Sequence, residues 1–356
     1  MFTPLTKKLD SFIDMGVPFY DCIVMKDGKC VYRRGGGFTD NKNQAVTGKE
    51  KYHLYSATKL ITCTAALQLL ENGLFSLDDK LSVYMPEFEN MTVKHGGVIS
   101  PAKKPILIRN LFTMTAGFSY SLNTPGIALC KKETDGKCQT RTLMRYLAKD
   151  PLVNEPGECW TYSLCHDVLA ALIEVISGLK FGEYVKQHIF IPLGMENSAF
   201  SPKGDQLFEL ASQYKYSDSL GTYETSKKNQ FRLGSEYESG GAGCVSTVDD
   251  FIKLLEALRI GDVILKRETV DLFTKNQLTE KQLSTYWFSD YGYSLGQRCP
   301  KDEGVQDFGW AGAAGSYHAV DREAGISVFL ATHVLNHTEF LNKSPIILPI
   351  IQEILK

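Results

Sequence analysis

Several common features are missing from this chain of 356 residues, and each absence closes a route. No apolar run approaches the roughly 18 residues that a membrane-spanning helix needs. The opening stretch, MFTPLTKKLDSFIDMG, has Lys7 and Lys8 but no apolar segment behind them, so no secretory signal is expected. There is no basic tail and no Lys/Arg stripe interleaved with aromatics. A formal net charge of −2 and a pI near 6.4 give nucleic acid no footprint. Nine cysteines occur without a single Cys-x-x-Cys. With no leader in view, they are read as reduced thiols of a cytoplasmic protein. Cys130 and Cys138, in CKKETDGKC, could bridge or bind metal, but a plain surface loop is the preferred reading.

Three motif absences narrow the chemistry. No Gly-x-Ser-x-Gly elbow is present, which argues against an α/β-hydrolase. His333 and His337 lie four apart, but no His-Glu-x-x-His surrounds them, so no metal site is expected. Gly240-Gly241-Ala242-Gly243 is not followed by Gly-Lys-Ser/Thr, so no phosphate loop is read there.

What is present is an ordinary globular balance, 43% hydrophobic and 22% charged, over a length that suits two subdomains or one large one. Residues 1–16 predict a short amphipathic helix with Leu5, Leu9, Phe12 and Ile13 inward. Residues 20–34 predict a hairpin turning at Asp27-Gly28. Residues 56–73 predict a helix that is apolar on nearly every face and therefore buried, closed by Asn72-Gly73. LMRYLAKDPL and CHDVLAALIEVISGL predict two more helices, the second ending at Gly178. Residues 200–235 are polar and poorly periodic and read as loop. Ser246 and Asp249 read as a capping-box pair opening the helix FIKLLEALR. Beyond residue 290 the pattern is β, then helical in the final SPIILPIIQEILK. The expectation is an α+β protein: an α/β unit from residues 1–75 and 240–356, with a mostly helical part, 76–239, inserted between.

The chemistry begins at Ser56-Ala57-Thr58-Lys59. Positions i and i+3 share a helix face, and a serine in the first turn sits where free N–H groups stabilise developing negative charge. A serine hydroxyl needs an adjacent base. A lysine can serve if burial lowers its pKa to roughly 7–8. The pattern alone is weak, because Ser100/Lys103, Ser177/Lys180 and Ser212/Lys215 match it too. Only Ser56 opens a long buried helix.

Context distinguishes it. YHLYSATKLIT (52–62), IRNLFTMTAGFSY (108–120), WTYSLCHDVLAALIEVISG (160–178), ESGGAGCVSTVDDFIKLLEAL (238–258) and FGWAGAAGSYHAVD (308–321) occur in that order. Together they resemble the serine β-lactamases, penicillin-binding proteins and family VIII carboxylesterases across almost the whole chain. Many relatives carry Tyr-x-Asn where this chain has Tyr162-Ser163-Leu164, and Lys-Thr-Gly or His-Thr-Gly where it has Trp310-Ala311-Gly312. Both departures are similar to the esterase branch.

The resemblance implies a β-lactamase-like fold, an antiparallel sheet flanked by helices with the helical part inserted. It implies Ser56 as nucleophile, with Lys59 and Tyr162 handling its proton; which of the two is the base stays open. It places the oxyanion hole at the N–H groups of Ser56 and Ala313, and substrate contacts at Trp310 and Gly312. Trp310 offers an apolar face and one N–H in place of a cation, which suits neutral esters better than carboxylate-bearing β-lactams. Neither metal nor organic cofactor is implied, and the partner is a small-molecule ester. Acyl transfer on the same fold, β-lactamase or D-amino peptidase activity, and a non-catalytic binding role are the alternatives. His166-Asp167 reads as a helix N-terminus and not as catalytic. Tyr120 and Tyr237 read equally well as cleft lining or as packing. The natural substrate and the oligomeric state are not legible.

Overall fold

The computed structural model describes residues 1–356 apart from 40–43, 201–209, 218, 227–228 and 302–306. Helix α1 (Thr3–Asp14) buries Leu5, Leu9 and Phe12, with Ile13 half-buried beside them. Strand β1 (Phe19–Lys26) turns at Asp27-Gly28 into β2 (Lys29–Gly37). Both turn residues have positive φ, 50° and 80°, as a two-residue hairpin turn matched to the strand twist demands.

The main sheet has seven strands, antiparallel at each pairing. In spatial order they are Tyr291–Tyr293, Arg298–Pro300, Asp307–Ala311, Tyr317–Asp321, Ile326–Ala331, β1 and β2. The two chain ends meet where β1 pairs with Ile326–Ala331, Val24 opposite Val328. Alternation along β1 sends side chains to both faces. On one face Tyr20 donates to Asp10 of α1 at 2.5 Å; on the other, Phe329 packs 4.5 Å from Phe251 of the Val248–Ile260 helix. The chain thus adopts the expected β-lactamase-like architecture.

Between the chain ends in sequence lies the Cys165–Ser177 helix, which ends at Gly178, whose φ of +73° stops it as its position predicts. That helix packs against α2 (Thr58–Glu71), in which every residue from Thr58 to Leu67 is buried. Among the described residues no helix is long and apolar enough to cross a membrane.

Three expectations are corrected. Residues 200–235 are not all loop: Gln213–Ser217 and Thr222–Ser226 form a hairpin that pairs in parallel with Val334–Leu335. The positions 201–209, 218 and 227–228 of that stretch lie outside the described residues. Its strands present polar residues on the solvent face, which hides the alternation. The Val248–Ile260 helix is capped by Thr247 and not Ser246; the Thr247 hydroxyl accepts from the Asp250 N–H at 3.1 Å, while Ser246 is held in a strand opposite Tyr52. Cys130 and Cys138 are not on a surface loop; both are fully buried free thiols.

His333 is a buried joint between these parts. Its Nδ1 donates to the Ala211 carbonyl at 3.0 Å, so Nε2 accepts the His53 N–H at 3.3 Å. Burial, then the charge of a protonated His53, pushes its pKa down to about 3. A histidine whose folded pKa lies below its unfolded value of about 6.5 stabilises fully above that value and loses the contribution as pH falls towards 3. His53, His166 and His318, lowered to about 4, 3 and 3 by burial, act with the same sign. The buried carboxyls of Asp167, Asp307 and Glu174, raised by burial, act oppositely. The difference between wild type and His333→Gln isolates the histidine. Urea denaturation is expected to show the variant less stable at pH 7, with the gap shrinking by about 2 kcal/mol by pH 5. A gap that stays constant over that range would refute the buried-neutral assignment.

Candidate active site

The segment leading to Ser56 is held from two sides. β3 (Lys51–His53) pairs antiparallel with Cys244–Thr247, and the Leu54 N–H continues the ladder to the Cys244 carbonyl at 3.0 Å. Tyr55 then takes a left-handed backbone, φ +47°. For a bulky residue that costs about 1–3 kcal/mol and persists only where the surroundings impose it. Here the ring is fully buried, its hydroxyl donates to Gln213 Oε1 at 2.5 Å, and Phe231 meets it edge-on at 5.8 Å. The reversal places Ser56 in a 3₁₀ turn (Tyr55–Ala57), just ahead of α2 and not inside it.

From the other chain end comes the turn after Asp307–Ala311. The Gly312 N–H donates to the Ser316 carbonyl at 2.7 Å, and the Ser316 hydroxyl donates to the Leu54 carbonyl at 2.9 Å. The Ala314 carbonyl is held by the Val334 N–H and the Thr332 hydroxyl. Among the described residues the N–H groups of Ser56 and Ala313 have no acceptor. The close approach at Gly312 is made by the protein itself: a Cβ there would lie 2.2 Å from Ser316 Oγ and 2.4 Å from the Leu54 carbonyl. Its N–H is likewise already used, so Gly312 packs the turn against residues 54–56.

Four of the singled-out side chains converge. Tyr162 Oη donates to Ser56 Oγ at 2.6 Å, and Lys59 Nζ donates to the same oxygen at 3.2 Å. Lys59 is fully buried; it also donates to the Gly241 carbonyl at 2.8 Å and to Tyr120 Oη at 3.4 Å. Its ammonium lies 4.6 Å from the Tyr162 ring centre. Trp310 is buried with its N–H directed at Tyr162 Oη, 3.2 Å away. That N–H therefore serves the tyrosine, where the sequence had suggested a substrate.

Several neighbours were given no role at the site by the sequence reading, which weighed Tyr120 as cleft lining or packing and Asp167 as a helix N-terminus. Tyr120 stacks on Tyr162 at 5.2 Å and 2°, and burial keeps its hydroxyl well above the usual phenol range, so it stays a phenol. Trp160 flanks Tyr162 at 6.0 Å. Trp287 lies 4.9 Å from Tyr162 yet is 60% exposed, an apolar face at the mouth of the site. Asp167 is buried near Lys59 and not a simple helix cap; its Oδ1 accepts the Tyr237 and Ser239 hydroxyls at 2.6 Å each. Tyr120, Trp160 and Asp167 carried a signal, since all three lie within the five ordered segments, whereas Trp287 lies outside them. His166 does not border the site: it is fully buried against Cys63 and the Phe112 carbonyl.

A sheet built from both chain ends, a Ser-x-x-Lys pair opening the central helix and a tyrosine brought to it from the inserted part define the β-lactamase-like class. This chain belongs to the beta-lactamase family, whose model matches residues 20–346. Lovastatin esterase of Penicillium rubens is 30% identical over 264 residues, 70% of this chain and 66% of that protein. Monacolin J acid methylbutanoyltransferase of Aspergillus terreus is 30% identical over 230 residues, 62% of this chain and 55% of that protein. The chain thus matches less than two thirds of the length of these two fungal relatives. Esterase EstB of Burkholderia gladioli is 26% identical across 87% of this chain and 84% of its own. Unliganded simvastatin synthase of Aspergillus terreus superposes with a TM-score of 0.81 over 98% of this chain and 96% of its own. EstCE1, described as a hydrolase with promiscuous acyltransferase activity, gives 0.79 over 96% and 98%. At 22% and 24% identity these two structures share the fold.

Gly312→Ala tests the packing of the turn. The added methyl must push back the Leu54 carbonyl, at a cost of about 1–3 kcal/mol. The melting temperature is expected to fall by several degrees, and Ser56 should lose reactivity towards a fluorophosphonate even well below the new melting point. Wild-type stability in this variant would show that the contact at Gly312 is slack.

Proposed function

We propose that this protein hydrolyses carboxylic esters through an acyl-Ser56 intermediate. The observation that carries the reading is the placement of one buried hydroxyl, Ser56 Oγ, within hydrogen-bond reach of both Tyr162 Oη and Lys59 Nζ. A serine with two basic-capable groups on its oxygen can lose its proton as it attacks. Ser56 Oγ bonds to the ester carbonyl carbon while its proton passes to the Lys59–Tyr162 pair. The carbonyl oxygen takes up the displaced electron pair and is met by the N–H groups of Ser56 and Ala313, each worth about 3–4 kcal/mol of barrier in comparable sites. Collapse breaks the bond to the alcohol, which leaves with the proton held by the pair. Water repeats the sequence on the acyl-serine. Trp310 holds Tyr162 in line and, by donating to its oxygen, stabilises negative charge there.

The esterase names among the relatives support the activity class. Aromatic and apolar lining, with Trp310 where other branches place a cation, supports neutral esters over carboxylate-bearing β-lactams. A second reading, transfer of the acyl group to an alcohol, is favoured by the exposed Trp287 beside Tyr162. An apolar mouth can hold an acceptor and exclude water. The transferase among the relatives supports it as well.

Intact-mass labelling with a fluorophosphonate, alongside turnover of p-nitrophenyl acetate and butyrate, tests the reading. Wild type is expected to gain one adduct and to turn over both esters; Ser56→Ala should do neither. Tyr162→Phe should lower the labelling rate by at least about 100-fold. A wild type that neither labels nor turns over ester would leave a binding protein on a hydrolase fold. Ester product appearing when a primary alcohol is added would favour transfer, and nitrocefin turnover matching ester turnover would favour a β-lactamase.

A further inference from the structure

We propose that Asp167 is the buried counter-charge of Lys59, a positioning residue that sets the pH range in which the Lys59–Tyr162 pair can accept the Ser56 proton. The proposal rests on the ester-hydrolysis reading of the site and goes beyond it. Asp167 lies in the first turn of the Cys165–Ser177 helix, five residues after Tyr162, and is 1% exposed. Its two oxygens have different surroundings. Oδ1 accepts the hydroxyls of Tyr237 and Ser239, both at 2.6 Å. Oδ2 is equally buried and faces the Gly241 backbone without a well-formed hydrogen bond.

Gly241 is the wedge between this oxygen and the lysine. A Cβ built on it would lie 2.7 Å from Asp167 Oδ2 and 3.4 Å from Lys59 Nζ, which limits the separation of the two charges to about 6 Å. They are nonetheless not in contact, since no ion pair within 4 Å involves Lys59 among the described residues. The three N–H bonds of an ammonium at Nζ are taken by Ser56, Tyr120 and the Gly241 carbonyl, so none is left for a carboxylate. The arrangement keeps the lysine aimed at Ser56 and still supplies it with an opposite charge. An opposite charge at about 4–6 Å favours the protonated amine without locking it in a direct pair.

The other titratable groups around Lys59 do not provide that charge. Tyr120 and Tyr237 are held as phenols by burial, Cys63 is pushed up by burial, and Cys165 is pushed up to about 11. His166 is lowered to about 3 and is neutral. Tyr162 belongs to the reacting pair itself. Burial also raises the Asp167 carboxyl, opposed by the hydroxyls of Ser239 and Tyr237 and by the charge of Lys59. Two hydroxyls donating to one oxygen are what a buried carboxylate needs to stay ionised.

The test follows the pH dependence of Ser56 labelling by a fluorophosphonate and of kcat/KM for p-nitrophenyl butyrate in Asp167→Asn and Tyr237→Phe. Removing the negative charge lowers the pKa of the pair, so the acid limb of both profiles in Asp167→Asn should move to lower pH by about one unit or more. Tyr237→Phe keeps the carboxylate but removes one of its donors, so it should shift the limb in the same direction by less. A purely structural role would change the plateau and leave the limb in place. Limbs within about 0.3 unit of wild type in both variants would overturn the proposal, and if Asp167→Asn does not fold, Tyr237→Phe decides alone. Ser56→Ala serves as the control. If it labels as wild type does, the assignment of the nucleophile fails and this proposal falls with it; if it is silent and the limbs do not move, only this proposal fails.

Discussion

The carbonyl of Leu54 is where the two ends of the chain are joined at the site. It accepts the Ser316 hydroxyl, it abuts Gly312 so closely that no Cβ fits, and its own N–H extends the ladder to Cys244. Two remote segments, the 312–316 turn and the strand Cys244–Thr247, thereby bear on one residue two positions before Ser56. The left-handed backbone of Tyr55 is affordable only in that setting, where burial of its ring and the bond to Gln213 offset the strain. The same junction holds the 312–316 turn, which carries Ala313, against the segment that leads to Ser56. Loosening it would displace Ser56 and the 312–316 turn together.

Around that junction the protein keeps a lysine side chain in a fully buried setting. Lys59 is fully buried, capped by phenol rings and a carbonyl, with a carboxylate behind Gly241. Low local polarity strengthens each of these interactions and makes any unpaired charge costly. The aromatic wall of Trp160, Tyr162, Trp310 and Tyr120 therefore does two things. It packs rings around the Lys59 amine, and through the Trp310 N–H it orients the tyrosine oxygen on Ser56. Trp287 extends the same wall outward to solvent.

Much of this was legible in order and pattern. The hairpin at Asp27-Gly28, the buried helix after Ser56, the Gly178 stop and the late run of strands follow from turn chemistry, periodicity and burial, which are local. The hairpin at 213–226 was missed because its exposed strands lack an apolar alternation, and pairing with Val334–Leu335 stabilises it from outside. The cap at Thr247 was misread by one residue because Ser246 and Thr247 are both good caps, and strand pairing with Tyr52 takes the first of them. Cys130 and Cys138 sit in a charged run that looks exposed, yet packing turns both sulfurs inward.

The sequence by itself marked Ser56, Lys59 and Tyr162 as candidates, because the ordered segments that resemble one family carry them, while the Ser-x-x-Lys spacing alone did not single out Ser56. It also determined the layered fold, through periodicities that each segment carries alone. Only the tertiary structure decided what each site residue faces. It turned the Trp310 N–H onto Tyr162, pressed Gly312 against Leu54, stacked Tyr120 on Tyr162 and set Asp167 behind Lys59. Those contacts join residues from about 40 to more than 250 positions apart. Such separations leave no trace in local spacing, and they are made only when the buried core closes around them.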